Sequence, residues 1–232
     1  MKGTPYVKKV YVASPRFSHE AGFYDAPFDL TIDCYKTYNV YYTTDGSIPD
    51  ESSTLYTEPI HIEDATSHPN SLSMRTDISV KAAVPPIVNL KKATILRAVA
   101  IDADGNRSNI VTNTYFVGFQ NYPDYQNISV LSLIADPGHL FDEDRGIYVF
   151  RKMYRDWLAS DKFSEDLRAY DRPRNYAQHG KEREIPASIQ WFDENDKLCL
   201  SQDAGLRIHG NQTRENTQKA FNLYASFLYN TN

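Results

Sequence analysis

The sequence predicts a mainly β protein in two successive parts, an immunoglobulin-like β-sandwich over residues 1–118 and an α+β segment over 128–232. Three observations carry this. The first part breaks into about seven short runs rich in Tyr, Val, Ile and Thr, separated by turn signals, as a sandwich requires. Gly, Asn, Pro and Asp then gather between Gly118 and Tyr125, and residues 119–127 read as a linker. Beyond Ile128 the runs change character and two short stretches of helical grammar appear among the strands.

The strand-like runs of the first part follow in order. Val7 to Val12 is one and Phe28 to Ile32 the next; Tyr38 to Thr44 ends at Asp45-Gly46, a two-residue signal for a tight hairpin turn. Ile78 to Ala83 reads as a short strand before Pro85-Pro86. In Ile95 to Ile101 both faces are largely apolar, which predicts a strand covered on both sides and central in its sheet. Asp104-Gly105-Asn106 turns the chain, and Ile110 to Val117 returns as the closing strand. In the second part Val130 to Ile134 and Gly146 to Phe150 read as strands, Lys152 to Leu158 and Phe163 to Tyr170 as helices. Pro186 to Phe192 and Lys197 to Leu200 flank a hairpin loop, Asp193-Glu194-Asn195-Asp196. Leu206 to His209 and Ala220 to Ser226 form a last strand pair joined by a long polar loop.

Composition bounds the function. The 232 residues are 41% hydrophobic and 24% charged, which suits a folded soluble chain of one large domain or two small ones. Seventeen Tyr, eleven Phe and two Trp supply more apolar area than a disordered tail carries. No apolar stretch approaches the ~18 residues of a membrane span. A net charge of -5 argues against a nucleic-acid partner, whose phosphates need concentrated Lys and Arg. Cys34 and Cys199 lie in different parts, form neither a disulfide framework nor a CxxC metal site, and are expected as small buried hydrophobes. The N-terminus has no apolar run of leader length, so the chain is read either as cytosolic or as one whose leader has been removed.

Three segments have residues of the types that do chemistry. Asp142-Glu143-Asp144 and Asp102 to Asn106 resemble the start of a calcium loop, but the twelfth positions are Met153 and Asn113 where a bidentate Glu is required. No metal site is expected. The loop Gly210 to Lys219 combines a flexible glycine with amide and hydroxyl donors and two cations, Arg214 and Lys219, a set suited to wrapping an anion. It lacks the GK[ST] of a Walker loop. The charged run Gly180 to Glu184 is either a solvated face or the source of a carboxylate, Glu182 or Glu184, that anchors a cation such as Lys219 or Arg207. No nucleophile–base pair stands out, and His139, His179 and His209 lack metal-ligand spacing.

The stretch from about Pro15 to Val117, with VYYTTDGSIPDESSTLYTEPI and ILRAVAIDADGNRSNIVTNTYFV, resembles the chitobiase/β-hexosaminidase C-terminal domain family. That resemblance implies a non-catalytic immunoglobulin-like module of secreted bacterial proteins. From Ile128 to about Tyr224, the motifs VLSLIADPGHLFDEDRGIYV, NYAQHGKEREIPASIQWFDENDK and SQDAGLRIHGNQTRENTQKAFNLYA resemble the N-terminal part of the spore coat protein CotH kinase family. The resemblance implies an incomplete kinase-like α+β segment from an atypical kinase. Such a kinase uses ATP and Mg²⁺ to phosphorylate Ser/Thr of coat or surface proteins, outside the cell or on the spore coat. Arg207, His209, Gly210, Arg214 and Lys219 fall on its motif positions. Lys219 is then the expected phosphate-contacting lysine, with Arg214, Gly210 and Arg207 beside it and Glu182 orienting it. The family's metal-binding and catalytic aspartates lie beyond the KAFNLYA strand. The resemblance therefore implies no catalytic residue here, no tight ATP or Mg²⁺ binding and no activity of this chain alone. The alternative is a cell-surface or carbohydrate-associated binding module, with Tyr41, Tyr42 and Tyr56 of the sandwich as the glycan platform.

Overall fold

The computed structural model describes residues 11–81 and 83–225. Its strands in the first part are β1 (Arg16–Phe17), β2 (Gly22–Tyr24), β3 (Phe28–Leu30), β4 (Ile32–Asp33), β5 (Asn39–Thr43), β6 (Thr54–Leu55), β7 (Ile60–Ile62), β8 (Thr94–Ile101) and β9 (Val111–Val117). The second part adds β10 (Val130–Ala135), α1 (Pro137–Phe141), α2 (Arg151–Leu158), β11 (Ile185–Phe192), β12 (Leu198–Ile208) and β13 (Phe221–Tyr224). Five strands form one sheet in the order β2-β9-β8-β5-β6, antiparallel except for the parallel pair β2 and β9. Two small antiparallel pairs, β1 with β4 and β3 with β7, complete the sandwich. The strands β10-β11-β12-β13 make a separate antiparallel sheet.

The position of β8 follows from its sequence. Leu96, Ala98 and Ala100 point into the sandwich core beside Leu30, Ile62, Val40, Tyr115 and Val117. Its other face, with Arg97, Val99 and Ile101, is equally buried. On that side the second sheet packs on the neighbouring strand β9. Phe192 of β11, fully buried, packs on Phe116 and Phe23 with ring centroids 5.6 and 5.5 Å away. Beside it the Gln190 amide accepts from the Thr114 backbone N–H at 2.9 Å and donates to the Thr112 carbonyl at 3.0 Å. Thr114 Oγ1 and Ser132 Oγ meet at 2.7 Å. The far face of the second sheet carries its own core of Ile147, Ile185, Ala187, Leu206 and Ile208.

Several segments differ from their sequence reading, each for a local reason. Asp45-Gly46 does not close a two-residue hairpin. The Asp45 carboxylate turns back on the Ser47 N–H, Gly46 O is held by Arg97, and β5 pairs with β6 only at Thr54–Leu55. Residues 78–81 and 83 are not in a strand, residue 82 of that run lying outside the described residues, and Gly146 to Phe150 is not a strand either: Ile147 and Val149 are buried alternately, but the N–H groups of Ile147, Tyr148 and Phe150 bond to the carbonyls of His139, Leu140 and Asp77. Phe163 to Tyr170 forms turns, while Arg172 takes the Leu167 carbonyl. The stretch 119–127 contains two 3-10 turns, Phe119–Asn121 and Pro123–Tyr125, with Phe119 buried against Phe23 and Phe116. The runs Lys197 to Leu200 and Leu206 to His209 merge, apart from their outer ends Lys197 and His209, into one long strand, β12. Cys34 is half-buried and Cys199 is exposed, both as free thiols, so neither is a core residue. Residues 7–10 of the run Val7 to Val12 lie outside the described residues.

Candidate functional site: a cationic cleft at the end of the second sheet

A cleft of about 390 Å³ opens where β12 and β13 meet the turns Asn175–Ala177 and Lys181–Arg183. Arg183, Arg207, Arg214, His179 and His209 line it together with Gly180 and Gly210, and among the described residues no carboxylate does. The two glycines have φ of 109° and 96°, left-handed values that disfavour any side chain. At Gly210 a Cβ would also collide with the Thr213 hydroxyl. The lips of the cleft therefore turn sharply at two backbone positions that only glycine fills easily.

Arg207 supplies the charge nearest the sheet. Its guanidinium carbon stands 3.7 Å from the Tyr224 ring centroid. Its Nε lies 3.1 Å from Glu184 Oε2, with the N–H not aimed at that oxygen, so the pair is a charge contact rather than a hydrogen bond. Arg183 is half-buried and its Nε has no hydrogen-bond partner. Burial lowers its pKa, with Glu182 opposing.

Arg214 has a structural task. Its three nitrogens donate to four carbonyls: Gly210 (2.6 Å), Ile208 (2.6 Å), Tyr176 (3.1 Å) and Gln178 (2.8 Å). One guanidinium thus ties both lips of the cleft together. Burial, then the Arg214 charge, lowers the pKa of His179.

Lys219 is elsewhere. It is 5% exposed, is not among the cleft's lining residues, and its ammonium donates to the carbonyls of Ile78 and Asn216, each at 2.7 Å. The rings of Tyr176 and Tyr148 flank it at 4.1 and 5.0 Å. Burial first, then Arg174, lowers its pKa to about 7, against the opposing pull of Glu215. Glu182 is exposed and folds back beside Gly180, away from Lys219. The structure thus gathers Arg207, Arg214 and Gly210 of the sequence-read set in one cleft, and leaves Lys219 and Glu182 out of it. Of the carboxylates Glu182 and Glu184, the second pairs with Arg207.

Arg183, His179 and Gly180 were not singled out as ligand residues by the sequence, although they adjoin or belong to the charged run. Their signal was the glycine before a basic run, which a solvated turn shares. Arg174 gave no signal. It is buried, bonds Glu215 at 2.8 Å, and lines a second cavity of about 370 Å³ that shares Tyr176, Gln178, His179, Asn211 and Arg214 with the first. Tyr42 and Tyr56, read as glycan contacts, pack against the sandwich core, and Tyr41 is half-buried. Among the described residues no group of three or more His, Cys, Asp or Glu is placed to hold a metal, and no helix is long and apolar enough to cross a membrane.

No curated protein and no solved structure matches the chain. Residues 30–115, from β3 to β9, match the model of the Fn3 associated family, a β-sandwich-type module.

Proposed function

We propose that the second half is the nucleotide-clasping part of a CotH-like atypical protein kinase and that the cationic cleft takes the phosphates of ATP. The observation that carries this is the lining of the cleft, with three arginines, two histidines and two left-handed glycines and, among the described residues, no carboxylate. A polyphosphate satisfies such a set through charge-assisted hydrogen bonds. The donor set fits phosphate and does not fit Mg²⁺, which binds through carboxylate oxygens. The resemblance further supports a β-sandwich of the chitobiase/β-hexosaminidase C-terminal type in front, a coat or surface protein as substrate, and a place outside the cell. Binding by this chain is weak and no phosphoryl transfer is assigned to its residues.

Equilibrium titration of the chain with ATP and inorganic tripolyphosphate tests the reading. Both bind in the wild type, and Arg207→Ala and Arg183→Ala each weaken binding by about tenfold or more, the value of one charge-assisted contact. Arg16→Ala, an exposed cation on β1 outside the cleft, leaves the affinity within about threefold. Absence of binding at millimolar ligand sinks the proposal.

A further inference from the structure

The segment Arg75–Lys81 belongs in sequence to the sandwich half, yet its bonds lead into the second half one residue after another. Arg75 donates to the Phe141 carbonyl at 3.2 Å. The Asp77 carboxylate accepts from Arg151 at 2.9 Å, and its carbonyl accepts the Phe150 N–H at 3.1 Å. The Ile78 carbonyl takes the Lys219 ammonium. Ser79, buried, donates to the Glu215 carbonyl at 2.6 Å, and Lys81 stands 3.5 Å from the Glu215 carboxylate. No strand or helix holds this segment in place.

Two of these links end on the turn that carries Arg214. That turn, Gln212–Glu215, is a single 3-10 turn in a polar loop, and its cap Asn216 shares Lys219 with the segment. A turn of this size has little stability of its own. Arg214 grips both lips of the cleft from it, so the place of the lips depends on what fixes residues 215 and 216. We propose that Arg75–Lys81 is a brace, by which the sandwich half sets the order and opening of the cleft. The inference rests on the cleft described under the proposed function, but the brace itself is read out without any ligand. By reciprocity a ligand gripping the lips strengthens the hold on the brace to the same degree.

Hydrogen–deuterium exchange on the full chain tests it. Ser79→Ala removes the buried hydrogen bond to Glu215, one of the segment's two links to that residue, and Ser79 lies outside the sandwich sheet. Peptides spanning 210–219 then exchange about fivefold faster or more, as expected for one lost buried hydrogen bond. Peptides spanning Thr94–Ile101 keep their wild-type rates, which also shows that the variant folds. Lys219→Met, which removes the Ile78 and Asn216 links together, has the same local signature and decides the matter if Ser79→Ala misfolds. Faster exchange in a chain that binds no tripolyphosphate supports the brace and refutes only the nucleotide reading. Unchanged exchange of 210–219 in both variants overturns the brace.

Discussion

Glu184, the residue before β11, reaches Arg207 of β12 because Gly205 has no side chain in its way. The carboxylate lies where a side chain at position 205 would stand: a Cβ there would come within 2.5 Å of Glu184 Oε1 and 2.8 Å of its Cγ. Arg207 and Gly205 project to the same face of β12, two residues apart, so the glycine admits the counter-charge to the foot of the cleft. Substituting a mostly buried ion pair's surroundings is costly when one partner loses the other.

Gly205→Ala displaces the Glu184 carboxylate and leaves Arg207 without its charge contact. The expected loss is about 1–3 kcal/mol, typical of one methyl forced into a filled space. Urea unfolding measures it. Wild-type stability in this variant would mean that Glu184 relaxes freely and that the pair has no structural role.

Gln190 joins the two sheets by imitating a strand backbone, with its amide paired to Thr114 and Thr112. It is 1% exposed. Gln190→Leu strands a buried N–H and a buried carbonyl, for an expected loss of about 2–4 kcal/mol. Because the sheets also share Phe192 and Phe116, the wild type unfolds in one transition by both fluorescence and circular dichroism. Two separated transitions in the wild type would show that the halves are energetically independent.

Lys219 makes stability depend on pH. Its folded pKa of about 7 lies below the ordinary 10.5 that it regains on unfolding. Between those values the unfolded chain holds one proton more, so stability from this group rises with pH from about 7 to about 10.5 and is flat outside that window. The neighbouring Arg174, Glu215, Tyr148 and Tyr176 stay in both the wild type and Lys219→Met, so the difference between the two isolates the lysine. The wild type gains on the methionine variant by at most about 1.4 kcal/mol per pH unit across the window. Parallel pH profiles would place the ammonium in a solvated site.

Much of the sandwich was legible because burial there is written in alternation. The two apolar faces of Ile95 to Ile101 pointed to a central strand, and the structure buries both of them. The same cue misled at Ile78 to Ala83, where strand-like residues are engaged by the second half rather than by a strand neighbour. Residue type and loop position marked Gly210 and Arg214 as candidates and the CotH resemblance added Arg207, and the three do share a cleft. The same reasoning put Lys219 on a ligand, since no sequence pattern reveals that Ile78, over a hundred residues earlier, supplies the carbonyl it satisfies. Glu182 and Glu184 are equivalent in sequence. Only the absence of a side chain at Gly205 decides which carboxylate reaches Arg207.

The arginine side-chain Nε–Hε resonances of the chain, followed by nuclear magnetic resonance during addition of ATP, test the central claim most directly. The Arg207 and Arg183 signals are expected to shift together and saturate. Arg174, turned to Glu215 behind the cleft, moves little, and adenosine alone leaves all of them in place. Shifts confined to exposed arginines such as Arg16 and Arg145, or equal shifts with adenosine, would contradict a phosphate-binding cleft.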